Sequence, residues 1–424
     1  MNFVLERIYI SRPTLAAMFI CTRTYQKKKR VVRIRRVLAF STLIICISVH
    51  GHFSPAYQAQ SVGDSRVYVR LVTDEAEAVL AILSKRKANQ ALTAEDWQRL
   101  FSSEGYTRLK RRETAMQRSF TDDEFKSFIL SDKLSANAPA LAETLKQWKQ
   151  VKVDSAAHRS LAYLPKEAHI QAKIYPVIKP RENSFVFEVN TDPAIFLYLD
   201  PAKTKEQFEN TLAHELHHIG YGTSCPVKQV ADEIAKQPKN IKDLINWIGA
   251  FGEGFAMLAA AGGPDIHPHE YSKPEDRARW DRDIANFNDD LKKVEKFFLD
   301  ILDNKLSEEE RQKAGMSFFG VQGPWYTVGW KMSVVIEKTY GRAKLIECIC
   351  DQRKLLPTYN QAAPRYNRHA RAPLALWSAD LINALRKTYH QPRSIAPEWL
   401  ECRGDPGRHD RRRLFVSARL VDEI

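Results

Sequence analysis

The segment Thr211-Leu-Ala-His-Glu-Leu-His-His-Ile219 decides how this chain is organised, because it contains the motif H-E-x-x-H. On an α-helix, His214 and His218 lie on one face, roughly 6 Å apart along the axis. That spacing suits two ligands of one tetrahedral zinc ion. Glu215, between them, is the residue type that acts as a base beside such an ion. The motif therefore predicts a catalytic zinc site.

The flanking sequence predicts that the motif lies on a helix. Thr204 followed by Gln207 is a capping-box start. Apolar residues then form one stripe at helical spacing: Phe208, Leu212 and Ile219. The helix is expected to end directly after the motif, at Gly220, Gly222 and Pro226. The alternative is a surface helix with incidental histidines. His217 is expected to pack or to support a ligand rather than to bind metal.

A catalytic zinc site needs a third protein ligand. The downstream candidates are Asp232, Glu233, Asp243, Glu253, His267 and His269. Glu253 lies between two glycines in a predicted helix at 241–261. Glycine inside a helix costs about 1 kcal/mol relative to alanine, so the pair indicates close approach to a second helix. Glu253 is the favoured ligand, and His267 or His269 is the next choice.

The charge of the chain is concentrated at its start. Most of the net charge of +14 lies in residues 1–36, so the remainder is only mildly basic. No basic patch interleaved with aromatic residues stands out in the remainder, so nucleic-acid binding is not expected. The apolar content of 44% is that of a globular protein.

The basic start precedes a short apolar run at 37–49, and the two segments together are typical of a secretory signal. Ser54-Pro-Ala56 is a small-x-small cleavage candidate. The alternative is an uncleaved membrane anchor. We therefore predict a leader at 1–60 and an exported body that is periplasmic or secreted, or held at the inner membrane by the anchor.

The cysteines do not form a disulfide framework. Cys21 and Cys46 belong to the leader, and Cys225, Cys348, Cys350 and Cys402 remain. One bridge from Cys225 to either member of the 348/350 pair stays open as an alternative.

We predict an α+β fold that is mostly helical. Residues 61–165 have helix-start signals and are expected to form an N-terminal helical module. Strand patterns precede the motif at 170–178, 184–188 and 194–199. They predict a small sheet whose edge could align an extended peptide, although ordinary buried strands explain them equally well. Residues 166–392 form the expected catalytic domain, and 393–424 a poorly ordered tail.

A further helix is expected from Pro324 to about Tyr340. Tyr326, near its start, is a candidate donor to an oxyanion. The alternative is that Tyr326 packs with Trp325 and Trp330.

Several motifs together resemble a known family. H-E-L-H-H followed by G-E-G-F-A resembles the gluzincin group of zinc metallopeptidases, which includes thermolysin. Residues 66–390 look more closely like a family of bacterial zinc-dependent peptidases. The matching motifs are D-W-x-x-L-F from Asp96, H-E-L-H-H, G-E-G and G-P-W-Y-T-V-G-W-K-M from Gly323.

The resemblance implies a zincin-like catalytic domain in which His214, His218 and Glu253 bind Zn²⁺ and Glu215 is catalytic. Glu253 lies further from the motif than the third ligand of thermolysin-like enzymes, which implies an insertion between the two helices. The expected function is an exported metallopeptidase acting on peptides or proteins. Two alternatives are a zinc hydrolase of a non-peptide amide and a non-catalytic exported metal-binding protein. The intact Glu215 argues against the last.

Overall fold

The computed structural model describes residues 65–368 and 372–389. The described chain is mostly helical and contains one small sheet, which confirms the α+β class. The predicted leader at 1–60 and the predicted tail at 393–424 lie outside the described residues.

Among the described residues, one mixed sheet is formed by β1 Val67–Leu71, β2 Ile170–Val177, β3 Phe185–Phe187 and β4 Ala194–Tyr198. The strand order is β1-β2-β4-β3, and only β3 runs antiparallel to its neighbour. β1 is a strand within the region 61–165, which was expected to be helical. This edge strand alternates between half-buried and exposed residues, and it pairs with β2 far along the chain.

Helices make up most of the remaining structure. The first group is α1 Asp74–Lys87, α2 Ala94–Phe101, α3 Glu104–Ala115, α4 Asp122–Ile129, α5 Asp132–Trp148 and α6 Val153–Leu161. The second group, after β4, is α7 Lys205–Ser224, α8 Lys228–Ala235, α9 Lys239–Gly249 and α10 Gly252–Ala261. The third group is α11 Pro274–Ala285, α12 Phe287–Leu302, α13 Glu308–Ser317, α14 Pro324–Tyr340, α15 Arg342–Cys350, α16 Leu355–Asn367 and α17 Ala379–Arg386, with a 3-10 helix at Gln352–Lys354.

Two hydrophobic cores meet at α7 and α10. The first core joins the sheet to the helices up to α7, and in it Trp148 stacks on Phe208 with ring centroids 4.3 Å apart. The second core is built mainly by helices from α8 onward around the fully buried Trp325. α10 contributes Ala260 to the first core and Phe255 to the second. Side chains at the contact of α7 and α10 are therefore fixed from both sides.

The helix that carries the H-E-x-x-H motif is longer than predicted. α7 continues past His218 to Ser224 and ends before Cys225. Gly220 lies inside the helix and does not end it. A Cβ at this position would lie 2.3 Å from the Leu164 side chain. This glycine provides room for packing instead of ending the helix.

The predicted helix at 241–261 is two helices, α9 and α10, separated at Ala250 and Phe251. The break places Glu253 in the first turn of α10. By length and composition, the 23-residue segment Lys239–Ala261 could cross a membrane, but 78% of its apolar window is buried inside the protein. It is therefore part of the core, as apolar helices of globular proteins are.

One disulfide connects α7 to α15. It joins Cys225 to Cys350, whose Cα atoms are 4.7 Å apart. This bridge resolves the alternative that the sequence left open. Cys348 is a free, buried thiol.

Candidate metal centre and active site

α7 presents both motif histidines on one face because its other face is committed to the first core. Thr204 and Gln207 form the predicted capping box at the start of α7. The stripe formed by Phe208, Leu212, Leu216 and Ile219 is fully buried. Opposite this stripe, the side chains of His214 and His218 keep 14% and 16% of their surface exposed.

Glu253 reaches the histidines because α10 packs tightly against both α7 and α14. A Cβ at Gly254 would lie 2.1 Å from the Trp330 amide nitrogen of α14. Gly329, on α14, has the reciprocal relationship, since its Cβ would lie 2.7 Å from the Phe251 carbonyl oxygen. Gly252, by contrast, has nothing within 4 Å. Of the two glycines beside Glu253, only Gly254 therefore explains the close approach to a second helix.

The structure brings His214, His218 and Glu253 to one point. Glu253 Oε2 lies 3.2 Å from His214 Nε2 and 3.5 Å from His218 Nε2, and the two nitrogens are 3.0 Å apart. Ligands about 2.0–2.1 Å from a tetrahedral zinc ion lie about 3.3 Å from one another. The three separations, together with the nitrogen and oxygen donors, fit such an ion.

Electrostatics within this cluster favour a charged Glu253. Burial by itself raises the pKa of Glu253, but the charges and hydrogen bonds of His218 and His214 hold it well below its ordinary value. Burial by itself lowers the pKa of His218. The Glu253 carboxylate outweighs this effect of burial, so the pKa of His218 is raised overall. An ionised carboxylate enclosed with two imidazoles is the donor set that zinc prefers.

His217 lies on the core side of α7, away from this cluster. It is 1% exposed, and its ring packs on Phe255 with centroids 4.9 Å apart. Burial holds its pKa well below the ordinary value, so the ring is neutral. Its position is that of a packing residue.

The other ligand candidates are engaged elsewhere. Their partners are Lys228 for Asp232, Arg353 for Glu233, Lys239 for Asp243, Asp281 for His267 and Ser272 for His269. Among the described residues, only the cluster of His214, His218 and Glu253 places three potential metal ligands within 4.8 Å of one another.

Glu215 and Tyr326 line the cleft together with the cluster. Glu215 is half-buried and lines the same cleft as the three potential ligands. The Tyr326 ring, from the first turn of α14, lies nearly parallel to the His214 ring at a centroid distance of 6.4 Å. Burial, and then the charge of Glu253 and the hydrogen bond that the phenol donates to it, raise the pKa of Tyr326 well above its ordinary value. The phenol therefore keeps its proton at neutral pH.

The cluster opens into a cleft with a volume of about 280 Å³. Its lining includes α7 and the edge strand β3 with its flanks, among them Ser184 and Val186. It also includes the segment between α10 and α11, with His269, and Gln322. The potential metal ligands thus face a groove bounded by separate chain segments, which is a typical binding-site geometry.

Residues 80–368 match a family model described as "Putative zinc dependent peptidase (DUF5700)". The chain belongs to this family. The matched region contains the three converging side chains, Glu215 and Tyr326. No curated protein and no solved structure matches the chain.

The cleft is also lined by residues that the sequence patterns did not indicate. Lys203 lines it directly before the N-cap of α7, and Thr211 lies beside its amine. Gln322 lines it just before α14. A lysine next to a capping box is common in surface helices, so Lys203 carried no distinguishing signal. Gln322 has a positive φ of 62°, which no sequence pattern predicted.

Proposed function

We propose that this DUF5700 protein is a zincin-like metallopeptidase of gluzincin type, in which His214, His218 and Glu253 bind zinc and Glu215 is the general base. The observation that carries the proposal is the convergence of the three side chains in a cleft. The family description supports both the metal and the reaction class.

Glu215 performs the proton transfers in this mechanism. Zinc held by His214, His218 and Glu253 would supply a Lewis acid, which would polarise a carbonyl group and make a water molecule more acidic. Glu215 takes a proton from the attacking water and later delivers it to the leaving nitrogen of the cleaved bond. Its half-buried position in the cleft wall keeps the carboxylate accessible to both partners.

Tyr326 stabilises the charge that develops on the substrate. Its phenol carries a proton at neutral pH and belongs to the rigid start of α14. The substrate carbonyl oxygen becomes negatively charged in the transition state, and the phenol donates a hydrogen bond to it there. His214 and Tyr326 both line the cleft.

The shape of the cleft favours a peptide over a small amide. Among the described residues, β3 is an edge strand of the sheet and pairs only with β4. Residues in and beside β3, including Val186, line the cleft. An extended substrate can therefore add to this edge through main-chain hydrogen bonds. A non-peptide amide would use the zinc cluster but not the strand edge.

We also propose that the body of the protein is exported. The basic and apolar pattern of residues 1–60 supports this, and so does the disulfide between Cys225 and Cys350. Disulfides persist mainly in oxidising compartments. Fractionation of expressing bacteria should place the body outside the cytoplasm, and a cleaved leader should give an N-terminus near residue 57 or 60. Finding the full-length chain soluble in the cytoplasm contradicts export.

A substrate-profiling digest tests the peptidase proposal. The purified protein is incubated with unlabelled protein mixtures and, separately, with small non-peptide amides, and the products are identified by mass spectrometry. We expect peptide cleavage that stops with a chelator and returns when zinc is added. Hydrolysis of the small amides alone selects the alternative hydrolase. Zinc binding without any hydrolysis selects the metal-binding alternative.

A further inference from the structure

We propose that Lys203 recognises a carboxylate of the substrate, next to the bond that is cleaved. This inference rests on the proposed peptidase function and names its preferred substrates: peptides that carry a carboxylate near the scissile bond. The carboxylate has two sources, the free C-terminus of the peptide and the side chain of an aspartate or glutamate.

The backbone of Lys203 is held rigidly. Its amide donates to the Asp200 carbonyl oxygen at 3.0 Å, and its carbonyl oxygen accepts from the indole of the fully buried Trp148 at 3.4 Å. The next residue, Thr204, is fixed by the capping box of α7. Lys203 thus starts from a fixed point in the cleft wall, as a substrate-recognition residue requires.

The amine of Lys203 lies along the catalytic face of α7. Its Nζ is 3.4 Å from the hydroxyl oxygen of Thr211, which donates its own proton to the Gln207 carbonyl oxygen. Thr211 therefore accepts from Lys203. Glu215 lies one helical turn further along the same face, and its charge acts on the amine.

Within the described part of the chain, this amine forms no ion pair. The charges of Asp200 and Glu215 act on it only through space. Burial is the main influence on the amine and lowers the pKa of Lys203, and these two charges oppose that effect. A partly buried ammonium with one long hydrogen bond is costly unless an anion compensates it.

A substrate carboxylate supplies the missing partner. It can accept the two ammonium protons that Thr211 leaves without an acceptor. Thr211 is a neutral acceptor, so an incoming anion improves the environment of the charge without displacing an ion pair. A neutral peptide side chain at the same place leaves the ammonium with only the through-space charges of Asp200 and Glu215. The difference favours acidic over neutral substrates.

The test compares matched peptides with wild-type protein and the variant Lys203→Met, which removes the charge but keeps the aliphatic stem. The peptide sequence is taken from a cleavage site found in the digest. One pair differs in a free or amidated C-terminus, and the other in Asp or Asn beside the scissile bond. The matched control is Lys205→Met, since Lys205 is exposed and pairs with Glu206 at the protein surface.

For Lys203→Met, we expect kcat/KM for the carboxylate member of at least one pair to fall by roughly 10- to 100-fold, the range of a charged hydrogen bond. The neutral members and the Lys205→Met variant should change little. The pair that responds identifies the source of the carboxylate. An equal loss on all four peptides, with kcat lowered and KM unchanged, means that Lys203 positions Glu215 and overturns the inference. Unchanged preferences overturn it as well.

Equilibrium binding separates this inference from the peptidase proposal. Calorimetry is carried out on wild-type protein and on Lys203→Met with two matched pairs of short alanine-based peptides, whose design needs no known cleavage site. One pair differs in a free or amidated C-terminus, and the other in Asp or Asn at one position. Tighter binding of the carboxylate peptide that depends on Lys203, without any cleavage, means that the peptidase proposal fails and the recognition site stands. Cleavage without a Lys203-dependent preference means that the peptidase proposal stands and the inference about Lys203 fails. Thermal unfolding of each variant verifies that it is folded.

Discussion

Gly254 of α10 lies directly against the backbone of Tyr326 in α14: a Cβ on Gly254 would stand 2.4 Å from the Tyr326 carbonyl oxygen. Two helices approach this closely only where no side chain separates them. The contact also fixes the site, because Glu253 precedes Gly254 and Tyr326 carries the phenol beside His214. A packing requirement and the proposed chemistry thus depend on the same helix crossing.

Replacing Gly254 with alanine should force α10 and α14 apart. The new methyl group would meet backbone atoms, which cannot move aside as a flexible side chain can. We expect a loss of about 1–3 kcal/mol in the free energy of unfolding. Zinc affinity should fall by roughly 10- to 100-fold, as when residues that support a metal ligand are changed. Denaturant unfolding and zinc titration measure the two effects.

Gly252→Ala is the matched control for this prediction. Gly252 lies on the other side of Glu253, and nothing stands within 4 Å of its added Cβ. We expect stability and zinc affinity close to those of the wild type. If both alanine variants behave alike, the helix crossing does not determine the position of Glu253.

Glu215→Gln and Glu253→Ala should separate catalysis from metal binding. Glu215→Gln keeps the shape of the side chain and leaves the three potential ligands intact. It should retain zinc and lower turnover by roughly 10² or more, the scale of general acid–base catalysis. Glu253→Ala should lose zinc together with activity. Elemental analysis and peptide cleavage are measured on both variants, and turnover near wild type in Glu215→Gln excludes Glu215 as the base.

Glu75 should make the protein less stable as the pH rises. This side chain is 1% exposed, and burial raises its pKa from 4.5 to about 8, with Asp74 adding to the effect and Lys179 and the Ile178 amide opposing it. The folded protein therefore binds the proton more tightly than the unfolded chain. Stability contributed by this proton is present at low pH and is lost between pH 4.5 and about 8.

Glu75→Gln removes this pH dependence. The amide can still accept from the Ile178 amide, as the carboxylate does at 3.0 Å. The free energy of unfolding of the variant should match that of wild type at about pH 4. At about pH 9 it should exceed the wild-type value by on the order of 3–5 kcal/mol. Urea unfolding across this range is the measurement. Glu77→Gln is the control on the same helix, because Glu77 is exposed and pairs with Lys149, and it should give no stabilisation that grows with pH.

The disulfide should stabilise the protein by connecting distant segments. Cys225 and Cys350 are separated by 125 positions in the sequence, so the bridge removes many conformations from the unfolded chain. Replacing both cysteines with serine should cost about 3–5 kcal/mol. A reducing agent should lower the unfolding midpoint of wild type but not that of the double variant. Equal midpoints for wild type and the double variant without reductant contradict the prediction.

Local signals were sufficient to predict the helix that carries the zinc motif. The capping box at Thr204 and the apolar stripe of α7 act within a few residues, and four-residue spacing alone places His214 and His218 together. The glycines beside Glu253 also marked a close helix contact, although only Gly254 makes it. These features depend on short-range geometry.

Features that depend on distant partners could not be predicted in the same way. β1 becomes a strand by pairing with β2, about one hundred positions later, and Gly220 remains helical because Leu164 packs on it. The break between α9 and α10 places Ala250 and Phe251 in the second core. Lys203 becomes notable only because α7 turns its catalytic face towards it. In each case tertiary packing overrides or supplies the signal.

Anomalous scattering at the zinc edge from a crystal grown with zinc tests the central claim most directly. The account predicts one strong peak at about 2.0–2.2 Å from His214 Nε2, His218 Nε2 and a carboxylate oxygen of Glu253. A zinc ion bound by other residues, or no peak between these three side chains, would contradict it.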